Sequence, residues 1–450
     1  MNEWVRRKYM ILHDIESAER KSIEDQQLHD LQKTIERVYE RVPFYRNKLQ
    51  ESNVNPDSIQ TLDDIKKLPF TTKRDLRDHY PFGLFASEQK DLVRLHASSG
   101  TSGKPTVVGY TKKDIKDWAI IVARAISIVG GGPEDILQNA YGYGLFTGGL
   151  GLHFGGEELG VTVIPISGGN TERQISILED FKPTILCSTP SYALNIGEKM
   201  LEMGKDPRST TLKYGIFGAE PWSEEMRKKL EELFDIKACD IYGLSEVVGP
   251  GVAMECSVGQ DGLHIAEDHF LVEVIDPITL EPVQEGTIGE LVFTSLKKEA
   301  LPIIRYRTGD IASITKAKCI CGRTTTRMSR VKGRIDDMII VRGVNVFPSE
   351  IEHHLIQMKE LAPHYQLHLH RTSSLDEVEL HVEITGELYQ KTSQNLKHPI
   401  LQALKAEIQE KMKTYCYVTM NVVLLPPKCI ARSEGKAVRI IDHRKEIVKK

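Results

Sequence analysis

His96-Ala97-Ser98-Ser99-Gly100-Thr101-Ser102-Gly103-Lys104-Pro105 packs two glycines, three serines, a threonine and a lysine into one short run. Glycines let the backbone approach a polyphosphate and turn successive N–H groups toward it. The hydroxyls of Ser98, Ser99, Thr101 and Ser102 add donors, and Lys104 adds a positive charge. By itself such a stretch also reads as a flexible surface loop. It is not a Walker A loop, because Gly100 and Gly103 stand too close and Pro105 replaces the hydroxyl residue expected after the lysine. Gly142-Tyr143-Gly144-Leu145-Phe146-Thr147-Gly148 misses the dinucleotide fingerprint by one residue.

Around this loop, from about residue 90 to 250, short apolar runs alternate with helical stretches. Val161–Ile166, Thr184–Cys187 and Lys213–Phe217 read as buried strands, with helices over 171–181, 190–203 and 223–233. That alternation predicts a mostly parallel, helix-covered sheet, hence an α/β chain. Upstream, 27–50 reads as an amphipathic helix kinked or ended at Pro43. Residues 270–276 and 289–295 read as a half-exposed antiparallel pair about Asp276-Pro277. After Gly333–Asp337 the pattern becomes a strand at Met338–Val341, a helix at Pro348–Met358, strands at Gln366–His370 and Glu377–Ile384, a helix at 394–413 and a strand at 416–425. That order predicts a small ferredoxin-like α+β domain. The expected division is therefore a large multi-subdomain domain over 1–335 and a small mobile one over 336–450.

A chain of 450 residues needs more than one core. A net charge of -4 argues against a dedicated nucleic-acid binder. The charged start, Met1–Lys8, does not read as a signal peptide. The best apolar run, Trp118 to Val129, is broken by Arg124 and is too short for a bilayer. Seven cysteines without periodic spacing fit a reducing, cytoplasmic setting.

Further segments follow the Ser98–Lys104 loop in order. They are Gly218-Ala219-Glu220-Pro221, Tyr242-Gly243-Leu244-Ser245-Glu246, Arg305-Tyr306-Arg307-Thr308-Gly309-Asp310, Gly333-Arg334-Ile335-Asp336-Asp337 and Arg432-Ser433-Glu434-Gly435-Lys436. Gly343 and Pro348-Ser349-Glu350-Ile351-Glu352 continue the fourth. Together they resemble the ordered motifs of the adenylate-forming superfamily, which includes acyl-CoA synthetases, luciferases and peptide-synthetase adenylation domains.

The resemblance implies that ATP binds through Ser98, Ser99, Gly100, Thr101, Ser102, Gly103 and Lys104 on its phosphates, and through Gly218, Ala219, Glu220 and Pro221 on the adenine side. It adds Asp240, Tyr242, Gly243 and Ser245 to the nucleotide set, Asp310 for the ribose, and Arg334 near ribose or phosphates. Glu246 would ligate Mg²⁺, being a hard oxygen donor. Lys436 would bridge the substrate carboxylate and the α-phosphate while charge builds on both. Asp336 would be the hinge that exchanges this lysine for the loop around Arg342–Asn345 at the thioester stage. Taken singly, Glu246 reads as a solvated carboxylate, Tyr242 as core, Asp310 as a turn residue, and Arg334 and Lys436 as surface charges.

Within the superfamily the chain most resembles the phenylacetate–coenzyme A ligases. Leu68-Pro69-Phe70-Thr71-Thr72-Lys73, Asp75, Tyr141–Gly149, Arg342–Pro348 and the ending Arg432–Ala437 carry that likeness. It implies an aryl pocket near Tyr141, Phe146, Ala219, Ile241 and Pro250, with ATP, a small aryl carboxylic acid and coenzyme A as substrates. Benzoate-like and indoleacetate-like acids stay open, because one methylene in an apolar pocket is worth only about 1–3 kcal/mol. Tyr141 and Phe146 also read as ordinary core residues. Ser102 stands where a threonine is common, and Ile430-Ala431 where a proline often precedes the arginine.

Cys319-Ile320-Cys321-Gly322 is a compact thiol pair that Cys256 and His264 would complete as a Cys₃His zinc set, with His269 the next candidate. The alternative from spacing is a pair of exposed, reduced thiols. Related ligases with cysteines in these places carry zinc, so the resemblance implies a structural Zn²⁺, and also a homodimer through the large domain. Two other functions fit the motifs: loading of an aryl acid onto a carrier-protein thiol, and a non-catalytic nucleotide-binding regulator.

Overall fold

A computed structural model describes residues 11–98, 105–335, 338–341, 344–372 and 375–444 of the chain. Ser99–Lys104, Asp336, Asp337, Arg342, Gly343 and the charged start Met1–Lys8 lie outside the described residues.

The chain forms two compact units. The larger comprises residues up to Ser188, Arg208–Ala219 and Asp235–Arg330; the smaller comprises Thr189–Pro207, Glu220–Phe234 and the chain from Val331 onward.

The larger unit is built on a nine-stranded sheet. In spatial order its strands are Ile314–Thr315, Arg327–Met328, Leu263–Ile265, Gly249–Glu255, Lys237–Leu244, Tyr214–Gly218, Ile185–Ser188, Ile136–Asn139 and Thr162–Ile164. The last five are mutually parallel and the others antiparallel. Ile185–Ser188 is buried along its whole length, as a strand covered on both faces must be. Helix Lys112–Ile128 begins at a capping box. Thr111 Oγ1 accepts from Asp114 N–H, and the Asp114 carboxylate accepts from Thr111 N–H. Arg124, the residue that broke the apolar run, is buried in a two-pronged ion pair with Asp268 at 2.9 and 3.2 Å.

The amphipathic segment near the N-terminus forms helices Arg20–Arg41 and Pro43–Glu51, parted at Pro43 as expected. Phe270–Ile275 and Gly289–Ser295 pair antiparallel. They are not half-exposed, since every residue of Gly289–Ser295 is buried. Helix Arg20–Arg41 covers this region, Gln27 donating to Phe270 O at 3.2 Å and Thr34 to Leu296 O at 2.9 Å.

In the smaller unit a four-stranded sheet runs Asn421–Leu425, Leu375–Ile384, Leu361–Thr372, Ile440–Asp442. Helices Pro348–Ile356 and Pro399–Cys416 contribute Leu355, Leu404, Ile408 and Met412 to a core shared with Leu367, Leu369, Leu380 and Val382. The predicted first strand does not enter this sheet. Ile339–Val341 pairs with Val344–Val346 in a separate ribbon, and Ile440–Asp442 takes the edge beside Leu361–Thr372. The final predicted strand is shortened to Asn421–Leu425 because Tyr417, at φ +57°, caps the preceding helix in the left-handed region.

Candidate active site

Strands Leu92–Ala97 and Val107–Thr111 form a hairpin stem with Ala97 opposite Val107. Ser98 closes its end. Its N–H donates to Thr106 O at 3.0 Å, and its Oγ accepts from Thr106 N–H at 3.3 Å. The stem on either side of Ser99–Lys104 is thus clamped at its end. Burial holds His96 below the ordinary histidine range, and its Nδ1 donates to Leu145 O at 3.0 Å. Ala97 N–H reaches the same carbonyl at 3.0 Å, which ties the stem to the Tyr141–Gly149 segment.

Lys237–Leu244 runs parallel to Tyr214–Gly218 with Gly218 beside Ile241. A Cβ at Gly218 would stand 2.1 Å from Ile241 O, and one at Gly243 1.9 Å from Gly249 O. Both motif glycines are therefore required by close backbone approach. Ala219 sits at φ +69°, a left-handed conformation costing about 1–3 kcal/mol for a residue with a side chain.

The Tyr242 hydroxyl donates to Asp310 Oδ2 at 2.6 Å, and its ring stacks on Phe293 with centroids 6.0 Å apart. Asp310 is buried on Tyr306–Ala312, where its own N–H is taken by Thr308 Oγ1 at 2.9 Å. The aromatic face and the carboxylate predicted for adenine and ribose thus meet. Ser245 Oγ and Thr147 Oγ1 lie 3.1 Å apart, and Tyr110 donates to Val248 O at 2.8 Å; these bonds bracket Glu246. Glu246 is buried, and its carboxylate is a hard oxygen donor of the kind Mg²⁺ takes. Asp240 donates its N–H to Glu255 at 3.0 Å and has Arg330 at 3.9 Å from its carboxylate.

The smaller unit carries the terminal motif as a braced loop. Arg432 donates to both oxygens of the fully buried Glu383, at 2.9 and 2.8 Å. Burial alone would raise the Glu383 carboxyl, but Arg432 and the N–H groups of Ile430 and Lys428 outweigh it and hold the group below the usual carboxylate range. Gly435 O accepts from Thr189 Oγ1 at 2.8 Å and Ser191 Oγ at 3.2 Å. Ser433 Oγ donates to Lys436 O at 2.7 Å. Glu220, which the resemblance puts on the adenine side, accepts from Ser191 N–H at 2.9 Å and Ala437 N–H at 2.8 Å. Lys436 itself is exposed, and Arg334 lies half-buried on Gly333–Arg334.

Of the expected aryl wall, Tyr141 and Ile241 are buried, and Tyr141 donates to Ile216 O at 3.5 Å. Pro250 is half-buried, its carbonyl held by Trp118 Nε1 at 2.9 Å. Ala219 is exposed, and Phe146, just before helix Thr147–Leu159, shows half its surface.

Residues 6–296 match the family model for AMP-binding enzymes, and 343–444 the model for the AMP-binding enzyme C-terminal domain. The chain belongs to the AMP-binding enzyme family. It is 49% identical over 440 residues to a phenylacetate–coenzyme A ligase of Thermus thermophilus, covering 96% of this chain and 99% of that protein. It is 47% identical over 434 residues to the phenylacetate–coenzyme A ligase of Escherichia coli, covering 96% and 98%. Among solved structures it is similar to a 2-hydroxyisobutyryl-CoA ligase in the postadenylation state, in complex with an acyl-AMP. That match has a TM-score of 0.89 and 29% identity, covering 98% of this chain and 92% of the other. Among the described residues no helix is long and apolar enough to cross a membrane.

This AMP-binding enzyme also gathers the four residues suggested for a metal. The donor atoms of Cys256, His264, Cys319 and Cys321 all lie within 4.8 Å of one another, and all four residues are buried rather than exposed. Cys256 Sγ and Cys319 Sγ are 3.7 Å apart. Two thiolates at about 2.3 Å from one tetrahedral ion would stand about 3.8 Å apart. Cys321 Sγ is 3.5 Å from His264 Nε2, and His264 Nδ1 meets Thr325 Oγ1 at 3.0 Å, the outer partner an imidazole ligand needs. A Cβ at Gly259 would come within 3.2 Å of two of the sulfurs, so a small residue caps the cluster. The set fits zinc. His269 is not part of it, being paired with Asp268 at 3.0 Å.

Several neighbours of the Tyr242–Glu246 segment escaped sequence reasoning. Trp118 stacks on Tyr110 with centroids 5.1 Å apart. Lys298 is buried with Nζ 3.3 Å from the Tyr110 ring centroid, and burial pushes its ammonium down to about 7. In sequence it sits in Lys297-Lys298-Glu299, indistinguishable from surface charge.

Proposed function

We propose that the chain is an ATP-dependent aryl acid–coenzyme A ligase, with phenylacetate the preferred acid. The observation that carries this reading is near-50% identity to phenylacetate–coenzyme A ligases along almost the whole chain, joined to the Tyr242–Asp310 pair and the braced Lys436 loop. In the first step a carboxylate oxygen attacks the α-phosphorus of ATP, the bond to the β-phosphate oxygen breaks, and acyl-adenylate and diphosphate form. In the second the thiol of coenzyme A attacks the acyl carbon, giving the thioester, AMP and a proton.

Both partners of the first step are anions, so alignment and charge neutralisation dominate. Tyr242 offers its ring to adenine, Asp310 accepts the ribose hydroxyls, and Ser98–Lys104 supplies hydroxyls and an ammonium to the terminal phosphates. Gly218 and Gly243 allow the backbone approach, while Ser245 and Asp240 complete the nucleotide side with Arg334. Lys436 spans the attacking carboxylate and the α-phosphate. Mg²⁺, held by Glu246, would neutralise phosphate charge. Zn²⁺, held by Cys256, His264, Cys319 and Cys321, would cross-link segments distant in sequence. Tyr141, Ile241, Ala219, Pro250 and Phe146 border the aryl group, Asp336 is the hinge, and 335/336 is the boundary of the mobile domain.

Acid-dependent diphosphate release over aryl and alkyl acids tests the reading, with coenzyme A or a carrier-protein thiol as acceptor. Phenylacetate with coenzyme A is expected to give the highest kcat/KM. Preference for an alkyl acid, or for the carrier thiol, would overturn it.

A further inference from the structure

The four-stranded sheet of the smaller unit turns Leu367, Leu369, Leu380 and Val382 into its core. Alternation along a strand therefore directs His368 and His370 to the opposite face, joined there by Glu379 and His381 of the neighbouring strand. The register sets His368 beside Glu379 and Gln366 beside His381. His443 arrives from a third segment, because Ile440–Asp442 pairs parallel to Leu361–Thr372 with Leu369 beside Asp442.

Ring nitrogens of His368, His370 and His443 all lie within 4.8 Å of one another, and the three side chains are half-buried. His368 Nδ1 and His443 Nε2 are 3.1 Å apart. Two imidazoles bound at about 2.0–2.1 Å to one ion place their nitrogens at such a separation. The His370 and His443 rings are stacked with centroids 4.5 Å apart, and His381 lies 3.9 Å from His368. Glu379 lies 3.8 Å from His370 Nε2 and 3.2 Å from His381 Nε2, and is itself steadied by Asn421 at 2.9 Å. A carboxylate behind an imidazole is the usual outer partner of a metal-bound histidine. Among the described residues, His368 Nε2 is buried without a hydrogen-bond partner.

We propose that His368, His370 and His443 form a second metal site, for a borderline divalent cation such as Ni²⁺ or Zn²⁺, separate from the cysteine cluster. All-nitrogen donors suit these ions and not Mg²⁺. An ion there would tie the edge strand Ile440–Asp442, which follows the Lys436 loop in the chain, to Leu361–Thr372.

Ni²⁺ is titrated calorimetrically into dialysed full-length protein that carries one zinc per chain, the amount the cysteine cluster alone would hold. One Ni²⁺ per chain is expected to bind, at least about tenfold more weakly in His443→Gln and in His370→Ala/His443→Ala, and unchanged in Cys319→Ser/Cys321→Ser and in the exposed control His29→Ala. Circular dichroism checks that the variants fold. A measurement needing no variant is the electron paramagnetic resonance of bound Cu²⁺, where coupling to three imidazole nitrogens is expected. No saturable Ni²⁺ binding, binding that survives both histidine variants, binding lost in the cysteine variant, or Cu²⁺ coupled to fewer than two nitrogens would each overturn the proposal.

Discussion

The backbone around Lys436 is held from several sides. The Lys436 carbonyl takes the Ser433 hydroxyl, the next N–H is held by Glu220, and Gly435 O is gripped by Thr189 and Ser191. A side chain presented this way places one ammonium without burying it, which suits the role proposed for it in the first half-reaction. Lys436→Ala is expected to slow acyl-adenylate formation about 10²–10³-fold. Conversion of supplied phenylacetyl-adenylate to the thioester should stay near normal. Equal loss of both half-reactions, measured by single-turnover quench, would remove Lys436 from this role. Gly218 and Gly243 are the residue-scale counterpart on the large unit: their identity is dictated by carbonyls of adjacent strands.

At the scale of elements, the Arg432–Glu383 pair links the strand Leu375–Ile384 to the terminal loop. Removing Arg432 leaves a carboxylate buried without its countercharge, so Arg432→Ala is expected to destabilise by about 3–5 kcal/mol near neutral pH. The sign of the pH dependence follows from the direction of the shift. In the native protein Glu383 lies below its unfolded value, so its contribution is complete above about pH 4.3 and is lost as pH falls through the native value. In the variant the lowering by Arg432 is lost, so the group moves up from its native value and protonation relieves part of the cost. The difference in melting temperature between the two proteins should therefore shrink as pH falls from 7 toward 4. A pH-independent difference would mean that Arg432 acts through packing alone. Glu198, 3.8 Å from Arg432, is a second carboxylate that the variant exposes to the same test.

At the scale of the molecule, the cysteine cluster joins residues 256–264 to 319–321 across more than fifty positions of chain. If it holds zinc, purified protein retains one zinc per chain after dialysis, and Cys319→Ser lowers the melting temperature by several degrees. The KM for ATP of the folded fraction should be unchanged. Zinc-free protein with an undiminished melting temperature would reject a structural metal.

Motifs were legible in the chain wherever the chemistry is local. The Gly/Ser/Thr loop, the Tyr242–Glu246 segment, Asp310 and the Arg432–Lys436 run each combine residue types that a nucleotide site needs, and their order identified the family. Short continuous apolar runs likewise marked Ile185–Ser188 and Tyr214–Gly218, as strands buried on both faces should; the third strand read as buried, Thr162–Ile164, lies at the sheet edge with Thr162 exposed and the other two residues half-buried. Pairing partners were beyond reach. The covering of Gly289–Ser295, the entry of Ile440–Asp442 into the small sheet, the engagement of Glu220 with the Lys436 loop, the burial of Lys298 against Tyr110 and the meeting of His443 with His368 all depend on which segments become neighbours. Sequence by itself determined the chemical kind of protein, since residue type and order carry that information. Only the tertiary structure decided which groups are buried, paired or brought together, because those follow from strand register and packing between residues distant in the chain.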